Sequence, residues 1–334
     1  MKRRTFVVNA AWAAALAFAV PPALAQTVLK FSHTDQPGGA RQAAALIFAK
    51  SVESYTDGRV KVQVFPAGQL ATDPKAVEQL QLGGIDLTVT GTGTYATHIP
   101  TLNLMLMPYL VETYDQGWRL YDTSPWLKKQ FDQGPSKGFR ILAIWEAGFR
   151  SMSTKGPLAS PEDAKGKKLR TYPNEMQRWL LEAMGFTIQI MPMTEVYLAM
   201  QQGVVWGQEN PIDTIHANKF YEVAPNITLT QHVYSPIPLS ISEKTWQKLS
   251  PADRDAVVKA ARETGEWLRK EIRTNDERQL ADMAAKGAKI ARPSLEPFRK
   301  AMQPAYAKAK EKYGADVDTV LAEAAAVRKA LPAK

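Results

Sequence analysis

The sequence predicts an α/β protein of two lobes braced by one long helix, and three observations carry that reading. Short strands alternate with helices from Thr27 onward, the alternation restarts after Phe139, and helical spacing then runs without a break from Pro251 to Gly287. With 334 residues, 45% of them apolar, the chain is long enough for about two hydrophobic cores of ~100–200 residues each.

The first half opens with a strand over Val28–His33. After Pro37-Gly38-Gly39 a helix runs from Ala40 to Tyr55, with apolar residues at helical spacing, and stops at Asp57-Gly58. Val60, Val62 and Val64 alternate as a second strand that ends at Pro66. Asp73-Pro74 opens a helix through Leu82, since a proline in the first turn gives up an N–H that had no partner there. Gly83-Gly84 closes it before a third strand over Ile85–Thr90. Such a β-α-β-α-β unit builds a parallel sheet whose ligands lie beyond the C-terminal strand ends. The loop at that end, Thr90-Gly91-Thr92-Gly93-Thr94-Tyr95, offers hydroxyls and open backbone.

The second alternation reads as strands at Phe139–Ile144 and Lys168–Thr171, a helix over Asn174–Met184, a strand at Thr187–Ile190 and a helix over Glu195–Gln202. Ser250-Pro251-Ala252-Asp253 supplies an N-cap, a proline and an early carboxylate to the long helix. About 35 residues at 1.5 Å each span roughly 50 Å, more than the width of one lobe. Ala301–Lys334 continues as a helical tail rich in Ala, Lys and Glu.

The first 25 residues read as a secretory leader. Lys2, Arg3 and Arg4 precede an apolar run from Ala10 to Val20, and Ala23 and Ala25 fit cleavage before Gln26. The run falls short of the ~20 residues of a membrane span, which argues against an anchor helix. Arg3-Arg4-Thr5-Phe6 leaves both ordinary and twin-arginine export open. The expected product is a soluble, exported chain.

Several chemistries drop out. No cysteine is present, which removes disulfides, thiol nucleophiles and thiolate metal sites. The net charge of +9 is spread along the chain without a basic stripe, so nucleic acid is not an expected partner. His33, His98, His216 and His232 lack the i, i+3 or i, i+4 spacing that would place two on one helix face for a metal. Phosphate-binding, dinucleotide and hydrolase-elbow motifs are missing too, so neither cofactor nor catalysis is expected.

Two stretches are specific. One is Gly148-Phe149-Arg150-Ser151 followed by Ser160-Pro161-Glu162-Asp163-Ala164-Lys165-Gly166-Lys167-Lys168-Leu169-Arg170-Thr171-Tyr172-Pro173. The other runs from Glu195 through Gly207-Gln208-Glu209-Asn210-Pro211 to Lys219-Phe220-Tyr221-Glu222-Val223. With Phe65-Pro66-Ala67-Gly68-Gln69-Leu70 and Gly84-Ile85-Asp86, they resemble the extracytoplasmic solute-binding proteins of tripartite ATP-independent periplasmic (TRAP) transporters, in order along nearly the whole mature chain. One departure stands out: Trp206 occupies the place of the usual Asp before the Gly-Gln-Glu-Asn-Pro element.

The resemblance implies a periplasmic binding protein fold, with a cleft between two lobes that closes on an organic acid, and delivery to a permease of small and large membrane subunits. It implies that Arg170 pairs with the ligand carboxylate and that Arg150 and Asn210 contact the ligand. Guanidinium suits the role, because its planar fork matches a carboxylate and stays charged. Glu146 and the threonine-rich loop, Thr92 included, are expected to read sugar hydroxyls and Trp145 to offer an aromatic face to a ring, which favours a hexuronate or aldonate over a C4-dicarboxylate. The expected division is 1–25 as leader, 26–147 with 236–275 as the first lobe, and 148–235 with 276–334 as the second lobe and tail. A sensory receptor would use the same closure, and a periplasmic enzyme would need a nucleophile and base in the cleft.

Overall fold

The computed structural model describes residues 26–333, so the leader expected at 1–25 lies outside the described residues. The first alternation forms β1 (Thr27–Ser32), α1 (Ala40–Tyr55), β2 (Val60–Phe65), α2 (Asp73–Leu82) and β3 (Leu87–Val89). Two 3₁₀ turns, Thr92–Thr97 and Pro100–Leu106, lead to α3 (Tyr114–Thr123), α4 (Pro125–Phe131) and β4 (Phe139–Trp145). The second alternation forms β5 (Phe149–Thr154), β6 (Lys168–Thr171), α5 (Glu175–Ala183), β7 (Thr187–Ile190), α6 (Val196–Gln201), β8 (Gly207–Pro211), α7 (Ile212–Ala217), α8 (Phe220–Val223) and β9 (Asn226–Tyr234). The chain then returns through β10 (Ile237–Ser242) and α9 (Glu243–Lys248) to α10 (Pro251–Ala285), β11 (Lys289–Ala291), α11 (Glu296–Ala301), α12 (Gln303–Tyr313) and α13 (Ala315–Ala330).

Two sheets result. The first has the order β2-β1-β3-β10-β4 and the second β11-β9-β5-β8-β6-β7. β1 runs parallel to β2 and β3, while β10 is antiparallel to both β3 and β4. In the second sheet β6 is parallel to β7 and β8, and β5 is antiparallel to β8 and β9. The pair β4/β10 continues directly into β5/β9, with Ile237 opposite Trp145 and Tyr234 opposite Phe149. Both lobes therefore share one antiparallel ribbon, and the chain crosses between them at 146–148 and 235–236.

α10 makes the third crossing. Ser250 accepts from the Asp253 N–H at 3.1 Å and Pro251 begins the first turn, as the sequence predicts. Its early residues Val257, Ala260, Ala261 and Leu268 join Phe31, Phe48 and Trp145 in the first lobe's core. Leu280 and Met283, near its end, pack with Ile212, Ile215 and Phe220 of the second lobe. One rigid rod thus enters both cores. The tail folds back as well: Asp316 accepts from Trp126 Nε1 at 2.8 Å, tying α13 to α4, and Phe298, Met302 and Ala305 share a core with Met176 and Leu180 of α5. Among the described residues, no helix is long and apolar enough to cross a membrane and no cluster of His, Asp or Glu could hold a metal ion.

Candidate functional site

A narrow, half-enclosed cleft with a cavity volume of about 40 Å³ lies between the lobes. Arg41, Asp73, Thr90, Gly91 and Thr94 line it from the first lobe, and Arg150, Arg170, Tyr172, Met193 and Asn210 from the second. Ala147, Ser235 and Ile237, at the two strand crossings, also line it. These residues follow from topology. Thr90–Thr94 leaves the C-terminal end of β3, Arg170 and Tyr172 the end of β6, and Arg41 and Asp73 sit in the first turns of α1 and α2.

Arg170 is the cleft's least compensated charge. It is only 1% exposed, and its Nε and Nη2 both donate to the Met191 carbonyl, at 3.0 and 2.7 Å. Nη1 has no partner among the described residues. Burial pulls the pKa of this guanidinium down to about 10, Arg150 adds to that, and Glu209 and Asp73 oppose it. The group is still charged at neutral pH, but it has left water without gaining a carboxylate.

Arg150 is paired. Its Nε and Nη2 grip the Glu209 carboxylate, Nη2 reaches the Glu209 carbonyl at 2.7 Å and Asn210 Oδ1 at 3.1 Å, and Nη1 donates to Ser235 Oγ at 3.3 Å. The Thr171 hydroxyl donates to the same carboxylate at 2.9 Å, and His232 Nε2 lies 3.4 Å from it. Burial would raise the Glu209 pKa, yet Arg150, together with bonding from His232, holds it down to about 2. Burial lowers that of His232, so the imidazole is neutral at physiological pH, with Nδ1 2.8 Å from Thr230 Oγ1. Arg150 stacks at 5.4 Å over the Tyr172 ring. The second lobe's wall is thus a largely neutralised network in which the free charged donor edge is that of Arg170.

The first lobe's wall differs. Arg41 is ion-paired with Asp35 at 3.1 Å, and among the described residues Asp73 accepts only from the Thr34 hydroxyl, at 3.0 and 2.9 Å. The Thr90 and Thr94 hydroxyls lie 3.1 Å apart. The cleft therefore presents the unpaired Arg170 guanidinium on one side and, on the other, the lightly engaged Asp73 carboxylate beside Arg41, whose contact with Asp35 is an ion pair without hydrogen-bond geometry.

Of the residues singled out from sequence, Arg170, Arg150 and Asn210 come together. Three others do not line the cleft. Trp145 is fully buried, donates Nε1 to the Ala261 carbonyl at 2.9 Å and packs 6.0 Å from both Phe31 and Phe48, so it is core. Glu146 is 1% exposed, and four donors already occupy its carboxylate: Ala147 N–H, Gly148 N–H, Trp118 Nε1 and Tyr234 OH. Thr92 turns away to the Pro236 carbonyl at 3.2 Å, while its neighbours Thr90, Gly91 and Thr94 face the cleft. Trp206 lies outside the cleft lining too, under Phe186 at 6.4 Å and Lys167 at 5.7 Å.

Asp73, Arg41 and Tyr172 were missed as cleft residues, and Glu209 as a buried counter-ion. Asp73 read only as a helix opener. Glu209 could have been found by charge balance, because a strand-end Arg buried beside a second Arg requires an acid, and Glu209 is the acid in the Gln-Glu-Asn-Pro run.

Residues 31–312 match the family described as bacterial extracellular solute-binding protein, family 7. The chain belongs to this family. It is 34% identical over 283 residues to the sialic acid-binding periplasmic protein SiaP of Vibrio cholerae, covering 84% of this chain and 88% of that one. Among solved structures it is similar to the sugar acid binding protein DctPAm of Advenella mimigardefordensis in complex with galactonate, with a TM-score of 0.87 and 30% identity over 90% of this chain and 99% of that one. A TRAP periplasmic solute binding protein of Sulfurospirillum deleyianum with bound succinate superposes with a TM-score of 0.84 at 31% identity, over 90% and 99% of the two chains. The protein is thus a TRAP solute-binding protein for organic acids, a transport receptor of a periplasmic family and not an enzyme.

Proposed function

We propose that this receptor captures a monocarboxylate sugar acid, a hexuronate or aldonate, and hands it to the small and large membrane subunits of a TRAP permease. The observation that carries the reading is the opposition of Arg170, with its unpartnered Nη1, to Asp73, whose carboxylate has only the Thr34 hydroxyl. Arg170 takes the ligand carboxylate. Asp73, Thr90 and Thr94 then accept and donate to hydroxyls further along the ligand, a role expected of Glu146 on sequence grounds and transferred here to Asp73. A second ligand carboxylate would meet Asp73 as a like charge and lose its hydration without a partner. The galactonate complex of DctPAm supports the sugar-acid reading.

A C4-dicarboxylate is the second reading, favoured by Arg41 and Arg150 in the same lining and by the succinate-bound relative. Against it, both of those cations already have carboxylates, Asp35 and Glu209. The leader at 1–25 would carry the chain to the periplasm. The test is thermal shift of the mature protein against galacturonate, glucuronate, gluconate and galactonate, with succinate, malate and fumarate alongside. A ligand at ~100 times its Kd adds about 2.7 kcal/mol to the folded state. Larger shifts with the C4 acids would reject the sugar-acid reading and leave Arg170 as a general carboxylate anchor.

A further inference from the structure

The two strand crossings form a single hinge whose parts are held together by one carboxylate. Crossing one runs from Glu146 to Gly148 and crossing two through Ser235 and Pro236. The Ser235 N–H donates to the Gly148 carbonyl at 3.1 Å, which joins them. Gly148 has φ +104°, and a Cβ there would lie 2.9 Å from Tyr114 Oη, so only glycine fits. Into this joint the Glu146 side chain sends both oxygens. Oε1 accepts from its own crossing, Ala147 N–H at 2.9 Å and Gly148 N–H at 2.7 Å. Oε2 accepts from Tyr234 OH, at the edge of the other crossing, and from Trp118 Nε1 of α3, both at 2.6 Å. Trp118 in turn lies under Arg269 and Arg273 of α10, at 5.8 and 5.5 Å. The four donors sit on three separate pieces of chain: crossing one, the edge of crossing two, and α3 against the bridging helix.

We propose that Glu146 is a hinge-positioning residue: by fixing both crossings to α3 and α10 it sets the angle through which the lobes close on the ligand. The crossings are also the cleft floor, since Ala147, Ser235 and Ile237 line it. A hinge held at one angle presents Arg170 and Asp73 at one separation; a loosened hinge spreads that separation and lowers the fraction of molecules competent to bind. The inference rests on the reading that the cleft captures an organic acid, but its main observable does not need a ligand.

The chain has no native cysteine, so Leu46→Cys on α1 and Leu198→Cys on α6, both exposed positions in opposite lobes, accept a spin-label pair uniquely. Pulsed dipolar spectroscopy then reads the interlobe distance. Glu146→Gln keeps the shape but sets an amide N–H₂ against donors, and Tyr234→Phe is the milder second variant, removing one hydroxyl donor while leaving the carboxylate and its other three donors in place. Both are expected to broaden the ligand-free distance distribution and to weaken D-galacturonate binding about 10-fold, mainly through slower association. Trp118→Phe is expected to act in the same direction, less strongly. A lowered Tm with an unchanged ligand-free distribution and association rate would overturn the proposal and reduce Glu146 to local packing. Failure of the wild type to bind any acid in the panel would instead reject the functional reading, with the ligand-free distances still deciding on the hinge.

Discussion

The two walls of the cleft use charge in opposite ways. In the second lobe, Arg150, Glu209 and Thr171 consume one another's hydrogen-bonding capacity with His232 Nε2 3.4 Å from the carboxylate, and the charged group left with a free donor edge is the Arg170 guanidinium. In the first lobe the charges are fewer, Arg41 is held by Asp35, and Asp73 is left with one hydroxyl donor. The contrast separates two jobs. A wall that is rigid and already neutral aims one cation at the group every ligand of the class shares, and a lightly engaged wall reads what differs between ligands.

The sharpest way to break this comparison is at Glu209. Replacing it with Gln leaves Arg150 buried without its counter-ion, and breaking a buried ion pair from one side typically costs ~3–5 kcal/mol of stability. We expect Glu209→Gln to unfold at markedly lower urea concentration than wild type. The pH dependence follows from the low carboxyl pKa. A group held at about 2 in the folded state and ~4.3 when unfolded contributes stability that is full above pH ~4.3 and is lost as pH falls toward 2. Wild type should lose stability across that window, and the variant should show a flatter slope there. Equal slopes would mean the network is not what carries the charge.

Arg170 should behave in the opposite sense. Removing one member of a desolvated charge pair costs ~2–5 kcal/mol of affinity, so Arg170→Ala is expected to weaken sugar-acid binding by at least ~30-fold in calorimetry. Its folded state should be as stable as wild type or more so, because an uncompensated buried cation has been removed. Arg170→Lys should also bind poorly, since an ammonium cannot hold the Met191 carbonyl and present a second donor edge at once. Binding within a few-fold of wild type in either variant would take Arg170 out of the site.

What the sequence revealed of this division depended on the physics of each element. Period and punctuation placed α1, α2, β6, β7 and α10, because amphipathic spacing and glycine or proline stops are local. β5, β8, β9 and β10 were not assigned as strands; all six residues of β5 and of β10 are buried, and a strand covered on both faces shows no alternation. Arg170 was legible because its motif and its strand-end position agreed. Glu146 and Asp73 exchanged roles for a reason that lies in the tertiary structure: the donors that claim Glu146, Trp118 and Tyr234, are 28 and 88 residues away from it. No local pattern reports such partners, and none marks Asp73 as open to a ligand.

On the reading wall, Asp73→Asn tests selectivity. A carboxylate accepting two ligand hydroxyls should lose ~1–3 kcal/mol of binding when half its acceptor capacity becomes a donor. Galacturonate and gluconate should weaken by roughly 10-fold, while succinate and malate, no longer facing a like charge, should weaken less or bind more tightly. Uniform weakening of every acid would assign Asp73 to scaffolding, and the two walls would then not divide the work.

The smallest expected effect lies where the walls meet beside α10. α1 has no side-chain cap of its own; the Ala40 N–H at its start points instead at the Asp213 carboxylate of α7, at 3.3 and 3.4 Å, and Gln279 Nε2 of α10 donates to the same group at 2.7 Å. A helix of the first lobe is thus capped from the second, a contact that separates when the lobes part. Gly39, beside it, has φ −81°, which alanine adopts without strain, yet a Cβ there would sit 2.9 Å from the Ala217 Cβ. Gly39→Ala should therefore disfavour only the closed arrangement. The crowding of two methyl groups and the weakened cap together amount to ~1 kcal/mol, about a 5-fold loss of affinity. It should fall on the dissociation rate in stopped-flow, with the urea midpoint of the ligand-free protein barely moved. Asp213→Asn should act in the same direction more weakly, since an amide oxygen still accepts one of the two donors. A change in association rate alone would place this contact on the path to encounter, and the two walls would then be coupled before the ligand arrives.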